Sequence, residues 1–145
     1  MPKEQKVIFT LGTNKNQEFN MQIAMKELQK LLPRIVFSRK IYTKDVNGGD
    51  SMYLNCVAKA IAKRNEKGLR LAFRNIERIC GTRVATKRRG EVAMDIDLIF
   101  YKDHKLKPEE WEKDYVKELL FEIVTPQTIE ELTNTTIIES INEDL

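Results

Sequence analysis

Two acids spaced as Asp95-x-Asp97 lie inside the apolar run MDIDLIFY (94–101), and residues of that type and spacing could do chemistry. In an extended strand successive side chains alternate, so Met94, Ile96, Leu98 and Phe100 fall on one face and Asp95, Asp97, Ile99 and Tyr101 on the other. Same-face neighbours stand ~6.6 Å apart at Cα, which lets both carboxylates reach one metal cluster. Two bare carboxylates held that close raise each other's pKa and need a compensating charge. Either a divalent cation supplies it, or the basic residues just upstream do: Arg83, Lys87, Arg88 and Arg89. An acid pair able to hold Mg²⁺, preceded by a Gly-bounded basic loop, suits the handling of a polyphosphate. The plainer reading is a pair of solvated acids at a strand end; apolar neighbours on both sides weigh against it.

The acids need a scaffold, and hydrophobic periodicity supplies one. Lys6 to Leu11 reads as a strand ended by the turn Gly12-Thr13-Asn14. Gln17 to Leu32 reads as a helix with Met21, Ala24, Leu28, Leu31 and Leu32 on one stripe and Pro33 as its stop. Arg34 to Thr43 is a second strand, KDVNGGDSM a polar loop, and Met52 to Ala62 a third strand. That third strand turns Leu54, Cys56, Ala58 and Ala60 one way and Tyr53, Asn55, Val57 and Ile61 the other. Leu69 to Cys80 is a second helix with Gly81 at its C-terminus, and the acid-bearing strand is the fourth. A charged connector follows, then a short apolar segment from Tyr115 to Ile123 and a weak amphipathic helix from Thr128 to Ile141. The order βαββαβ predicts an α+β, ferredoxin-like fold: an antiparallel sheet with both helices on one face and the other face free, plus a C-terminal extension over 124–145. A single domain over 1–145 is expected, with its core at about 6–123.

At 145 residues, 41% hydrophobic and 32% charged, the chain is an ordinary globular sequence rather than a disordered one. Its apolar runs are broken by charge and too short to cross a bilayer. The N-terminal PKEQK lacks an apolar leader, so a cytoplasmic location is expected. Cys56 and Cys80 lack metal-ligand spacing and read as buried thiols, and a single histidine, His104, excludes sites built on several imidazoles. The net charge of +3 is too small to argue for nucleic acid. A monomer without a nucleic-acid or membrane partner is expected.

With LGTN after the first strand, YLNCVA in the third, FRNIERICGTR at the end of the second helix and MDIDLIFY in the fourth strand, the chain resembles 6-hydroxymethyl-7,8-dihydropterin pyrophosphokinase (HPPK), from about Val7 to Ile123. The resemblance implies ATP-dependent transfer of a pyrophosphoryl group to the pterin hydroxymethyl in folate biosynthesis, with release of AMP. By its implication Asp95 and Asp97 are the catalytic metal-binding acids, holding two Mg²⁺ with ATP. Tyr53, Asn55, Asp95 and Tyr115 surround the pterin, and Glu77, Arg83, Lys87, Arg88, Arg89 and Lys113 serve ATP. The chain departs from the family's GPRTLDLD, having GEVAMDID: Val92 and Thr82 stand where arginines are common, and Arg89 stands where an aromatic is common. The family's late Pro-His and arginine have Lys107, Pro108 and Lys113 as their nearest substitutes.

Each residue also has a structural reading. The tyrosines could cover an open sheet face, Glu77 could pair with Arg74 or Arg78 on a helix surface, and the KRR run could be a solvated loop. The competing function is a non-catalytic or substrate-shifted ligand-binding domain of the same fold. RNA recognition is disfavoured, because Asp95 and Asp97 would repel phosphate on the face such modules use. The loops 43–52 and 81–91, polar and Gly-bounded, are expected to order over bound ligands.

Overall fold

The computed structural model describes residues 3–45 and 49–133. Its elements run β1 Gln5–Thr13, α1 Gln17–Leu31, β2 Val36–Phe37, β3 Ile41–Lys44, β4 Met52–Ala62, α2 Glu66–Cys80, α3 Val84–Arg88, β5 Asp95–Tyr101, β6 His104–Lys105, α4 Pro108–Trp111, α5 Asp114–Ile123 and α6 Pro126–Thr133. The sheet is antiparallel. β1 lies between β4 and β5, β2 and β3 both pair with β4, and β6 pairs with the end of β5. Taking β2 and β3 as one broken strand, this is the βαββαβ arrangement with its first and third strands central. Of the helix expected over Thr128–Ile141, residues 134–141 lie outside the described part of the chain.

α1 and α2 cover one face. In α2 the spacing of Leu69, Phe73, Ile76 and Cys80 makes a stripe that is buried along its length. Asn65 caps its start, with Oδ1 accepting from Gly68 N at 2.8 Å, and Gly81 ends it at φ 109°, where a side chain would be strained. Phe73 packs on Phe9 of β1 with ring centroids 4.7 Å apart. Leu54, Cys56, Ala58 and Ala60 of β4 join this core, as their alternation predicts.

Three expectations need correction. The opposite face is not free: α5 lies on half of it, burying Val116, Leu119, Leu120 and Ile123 against Ile8, Val57 and Ile99. The segment 34–43 is not one strand, because one extra residue enters between Phe37↔Ala58 and Ile41↔Asn55. At that bulge Ser38 takes over the ladder: its N donates to Val57 O at 2.8 Å and its Oγ accepts from Val57 N at 2.9 Å. Phe100 is also on the other face from Met94, Ile96 and Leu98, and Tyr101, expected with the acids, packs on the face of those three instead. The β1–β5 register passes from Phe9↔Leu98 to Ile8↔Phe100, so Ile99 is the extra residue, and Ile99 and Phe100 both turn toward α5. The carbonyl of Ile99 accepts from Leu106 N and from Trp111 Nε1, both at 2.9 Å, which fixes α4 beside the sheet.

Candidate active site

The register sets the floor of the site. Thr43 lies beside Tyr53; Ile41, Asn55, Gly12 and Asp95 form one row across β3, β4, β1 and β5; and Val57, Thr10 and Asp97 form the next. Since β1 runs on to Thr13, Gly12 is a strand residue rather than the start of a turn. It also shows no positive φ, so backbone freedom does not account for it. A Cβ there would sit 3.5 Å from Asn55 Oδ1 and 3.7 Å from Tyr53 Cδ1. The missing side chain leaves the floor open between Asn55 and Asp95, two strand spacings or ~10 Å apart.

Above this floor is a cavity of about 580 Å³, walled by Tyr53 and Asn55 on one side and by Tyr115, Glu110 and Lys113 on the other. Asn55 is 3% exposed, and its amide nitrogen donates to Thr43 Oγ1 at 2.8 Å. Its Oδ1 accepts no hydrogen bond among the described residues, which leaves an acceptor for a ligand. Burial raises the pKa of Tyr53, helped by Asp45 and Asp95. Burial likewise raises Tyr115, helped by Glu110, Asp97 and Asp95. Both phenols are therefore neutral, and their rings face a space of suitable volume for a flat heterocycle.

Asp95 and Asp97 also border a smaller cavity, about 230 Å³, on the side of β5 that meets α2. Arg70, Arg74, Lys87 and Lys107 line it together with Glu77. Glu77 accepts a 2.8 Å hydrogen bond from Ile96 N at the outer edge of β5. It thereby satisfies a strand donor that has no neighbouring strand. Burial raises the Glu77 pKa against that bond, with Asp95 adding to the rise.

Asp97 is the most perturbed acid. Burial, then the charge of Asp95, pushes its pKa up to about 8 against the pull of Lys107. Lys107 Nζ stands 3.8 Å from Asp97 Oδ1, and Lys87 Nζ stands 3.8 Å from Asp95 Oδ1. Both separations are too long for hydrogen-bonded pairing. The pair is thus short of positive charge, and two carboxylates are the usual protein share of a Mg²⁺ site completed by phosphate and water. Among the described residues no group of three or more His, Cys, Asp or Glu gathers as a self-sufficient metal cage. The donor set fits a cation that arrives with its phosphates.

The remaining sequence candidates separate here. Lys87 is the one basic residue of 83–89 that lines either of these two cavities. Arg83 turns back onto the end of α2, donating to Arg78 O at 3.1 Å and Thr82 O at 2.7 Å. Arg88 lines neither cavity, and Arg89 points to Glu91, 3.7 Å away. Lys113 is on the larger cavity rather than the smaller, ion-paired with Glu110 and 6.0 Å from the Tyr115 ring centroid. The loop 81–91 holds the short helix α3. Its far end is tied down by Asn14, whose Nδ2 donates to Gly90 O at 2.7 Å and whose Oδ1 accepts from Val92 N at 2.7 Å. Thr82 bridges Met94, its Oγ1 donating to Met94 O at 2.8 Å and accepting from Met94 N at 3.2 Å.

Sequence reasoning missed Glu110, which is 7% exposed. The sole signal for it was Trp111, an aromatic in an otherwise charged connector. It also missed Arg70, and treated Arg74 only as a surface partner of Glu77.

The family described as 7,8-dihydro-6-hydroxymethylpterin-pyrophosphokinase (HPPK) matches residues 8–125. The chain belongs to this family. HPPK is the pyrophosphokinase of folate biosynthesis, and its members use ATP with Mg²⁺. No curated protein matches the chain. Among solved structures it is similar to a Plasmodium falciparum HPPK-DHPS triple mutant with STZ-DHP, at 14% identity and a TM-score of 0.50, covering 71% of this chain and 29% of that one. The same triple mutant with pteroate gives 13% identity and a TM-score of 0.49 over 70% of this chain and 28% of that one. The chain spans less than a third of the length of these structures, and the first likeness speaks for the fold. No described helix is long and apolar enough to cross a membrane.

Proposed function

We propose that this chain transfers the pyrophosphoryl group of ATP to 6-hydroxymethyl-7,8-dihydropterin, in the cytoplasm and as a monomer. The observation that carries this reading is the position of Asp95 and Asp97. They border both an aromatic-walled cavity with a free amide acceptor and a cation-lined one. A heterocycle between Tyr53 and Tyr115, with a ring donor on Asn55 Oδ1, presents its hydroxymethyl to the acids. Nucleotide phosphates in the smaller cavity meet Arg70, Arg74, Lys87 and Lys107. The hydroxymethyl oxygen bonds to the β-phosphorus and releases its proton to solvent, the bond from that phosphorus to the oxygen bridging it to the α-phosphate breaks, and AMP leaves with that oxygen. Asp95 and Asp97 would hold two Mg²⁺, which when bound would neutralise phosphate charge. The chain's own part is positioning, together with fixed positive charge aimed at the transferring group.

Val92 and Thr82 stand where the family has arginines, and the late arginine has only Lys107 and Lys113 as its nearest substitutes, which give point charge without the planar two-pronged fork. A binding-only or substrate-shifted domain is the second reading, favoured by Arg83, Arg88 and Arg89 lining neither cavity. A coupled assay for AMP with Mg²⁺, ATP and the pterin separates the two. Pterin-dependent AMP release supports the kinase. Tight binding of both ligands with no AMP above the ATP-only rate supports the second reading.

A further inference from the structure

The face of the sheet that carries α5 has another cavity at its far end, about 480 Å³ in volume. Lys6 on its lip lies four residues along β1 from Thr10, a distance of ~13 Å in a strand. Val57, Ile99, Val116 and Leu119 are buried on that face between the two regions, so this cavity is not part of the catalytic one. Its floor is apolar, with Ile8 and Phe100 of the sheet facing Leu132 of α6. Its volume falls within the range of small-molecule sites.

The rim is cationic. Lys6 on β1 and Lys59 on β4 are diagonal neighbours in the register Lys6↔Ile61 and Ile8↔Lys59, ~7–8 Å apart. Lys102 joins them from the β5–β6 turn, where its N donates to Lys6 O at 2.9 Å. None of the three makes an ion pair among the described residues. Arg34, also on the lip, is engaged by Glu4 at 2.8 Å. Lys102 holds φ 65°, a conformation where glycine or asparagine costs less. A lysine kept at such a position places its charge at the rim at a backbone cost. The acids nearby, Asp103 and Glu131, set a limit: an extended polyanion would meet them, whereas one compact anion need not. Asp103 is itself 3.2 Å from His104.

The geometry points to a second binding site, for an amphiphilic organic anion: an aryl or alkyl body on Ile8, Phe100 and Leu132, with a carboxylate, sulfonate or phosphate on Lys6, Lys59 and Lys102. The site is independent of the proposed reaction, and its test has no catalytic readout. The probe is 8-anilinonaphthalene-1-sulfonate, titrated by fluorescence at neutral pH into the full chain, with the uncharged N-phenyl-1-naphthylamine and inorganic phosphate in parallel. One saturable site is expected, unaffected by saturating pterin or ATP. Affinity should fall at least about tenfold in the Lys6→Glu/Lys59→Glu double variant, whose melting temperature matches the parent. Lys102→Gly removes charge while relaxing the backbone, so weaker dye binding by a protein at least as stable supports the site. The uncharged dye should bind at least about tenfold more weakly, and phosphate alone should not displace the probe. Displacement by pterin or ATP, affinity unchanged in both lysine variants, or no saturable binding would each overturn the proposal.

Discussion

Asp97→Asn is predicted to stabilise the ligand-free protein, and only above acid pH. The carboxyl titrates near 8 in the fold, against 3.8 ordinarily. Below about pH 4 both folded and unfolded chains carry the proton, and the group contributes nothing. Between about 4 and 8 the unfolded chain ionises while the folded one keeps its proton, so stability falls as pH rises, by up to ~1.4 kcal/mol per pH unit. Above about 8 the loss is complete and constant, with an upper bound of ~6 kcal/mol. The side chain is 23% exposed and Lys107 is near, and relaxation with some water access brings the realistic figure to ~2 kcal/mol. Asparagine has the same shape and does not titrate. For a chain of this size its advantage corresponds to ~4–8 °C in melting temperature at neutral pH. Melts of parent and variant at about pH 4.5, 6 and 7.5 read this directly, as a difference that opens with pH. A gap independent of pH, or an asparagine variant less stable at about pH 7.5 than the parent, would refute the assigned burial. With Mg²⁺ and ATP present the order should reverse, because the parent alone gains binding stabilisation.

Asp95→Ala or Asp97→Ala should abolish Mg²⁺-dependent nucleotide binding, measured calorimetrically, while leaving the circular dichroism spectrum unchanged. Asn55→Ala should weaken pterin binding by ~1–3 kcal/mol and ATP binding far less; equal losses would mark a folding defect. Lys87→Ala and Lys107→Ala should each lower turnover about tenfold or more, whereas Arg88→Ala and Arg89→Ala should change it by less than about threefold; the reverse ranking would place the phosphates elsewhere. Gly12→Ala should keep the fold, since a Cβ at Gly12 meets nothing closer than 3.5 Å, yet narrow the larger cavity and raise the pterin KM with little change in ATP affinity.

How much of this was legible beforehand depends on whether a residue's place is set by its own strand or by its neighbours. β4 was readable to the residue, Met52–Ala62, because strict alternation between Leu54, Cys56, Ala58, Ala60 and Tyr53, Asn55, Val57 is a property of one strand. The acids' spacing was readable for the same reason, as was the α2 stripe. The bulges at Ser38 and Ile99 were not, since an extra residue shows only when two strands are paired. That is why Phe100 was assigned to the wrong face and 34–43 to one strand. Gly12 looked like a turn because glycine's backbone freedom is the commoner reason for its use; here the reason is space, which the partners Asn55 and Tyr53 create. The basic loop looked uniform in composition, yet Asn14, seventy-odd residues upstream, ties down its end and Lys87 alone reaches the acids. Such distant ties leave no local mark in a sequence.

The Ile99 bulge has a practical consequence for watching this protein at work. Trp111 is the single tryptophan of the chain. Its indole donates both to Ile99 O and, at 3.0 Å, to Leu106 O, with Lys105 Nζ 4.9 Å from the ring centroid. Just before it in the chain, Glu110 lines the larger cavity and Lys107 the smaller. The molecule therefore carries one indole fluorophore, shielded from solvent and wired by a hydrogen bond to the strand that bears the acids. Rearrangement of Lys107 or Glu110 around phosphates bound as proposed should reach that indole through one turn of helix. Its emission can be followed in stopped flow without a label, which offers a direct clock for the order in which nucleotide and pterin arrive.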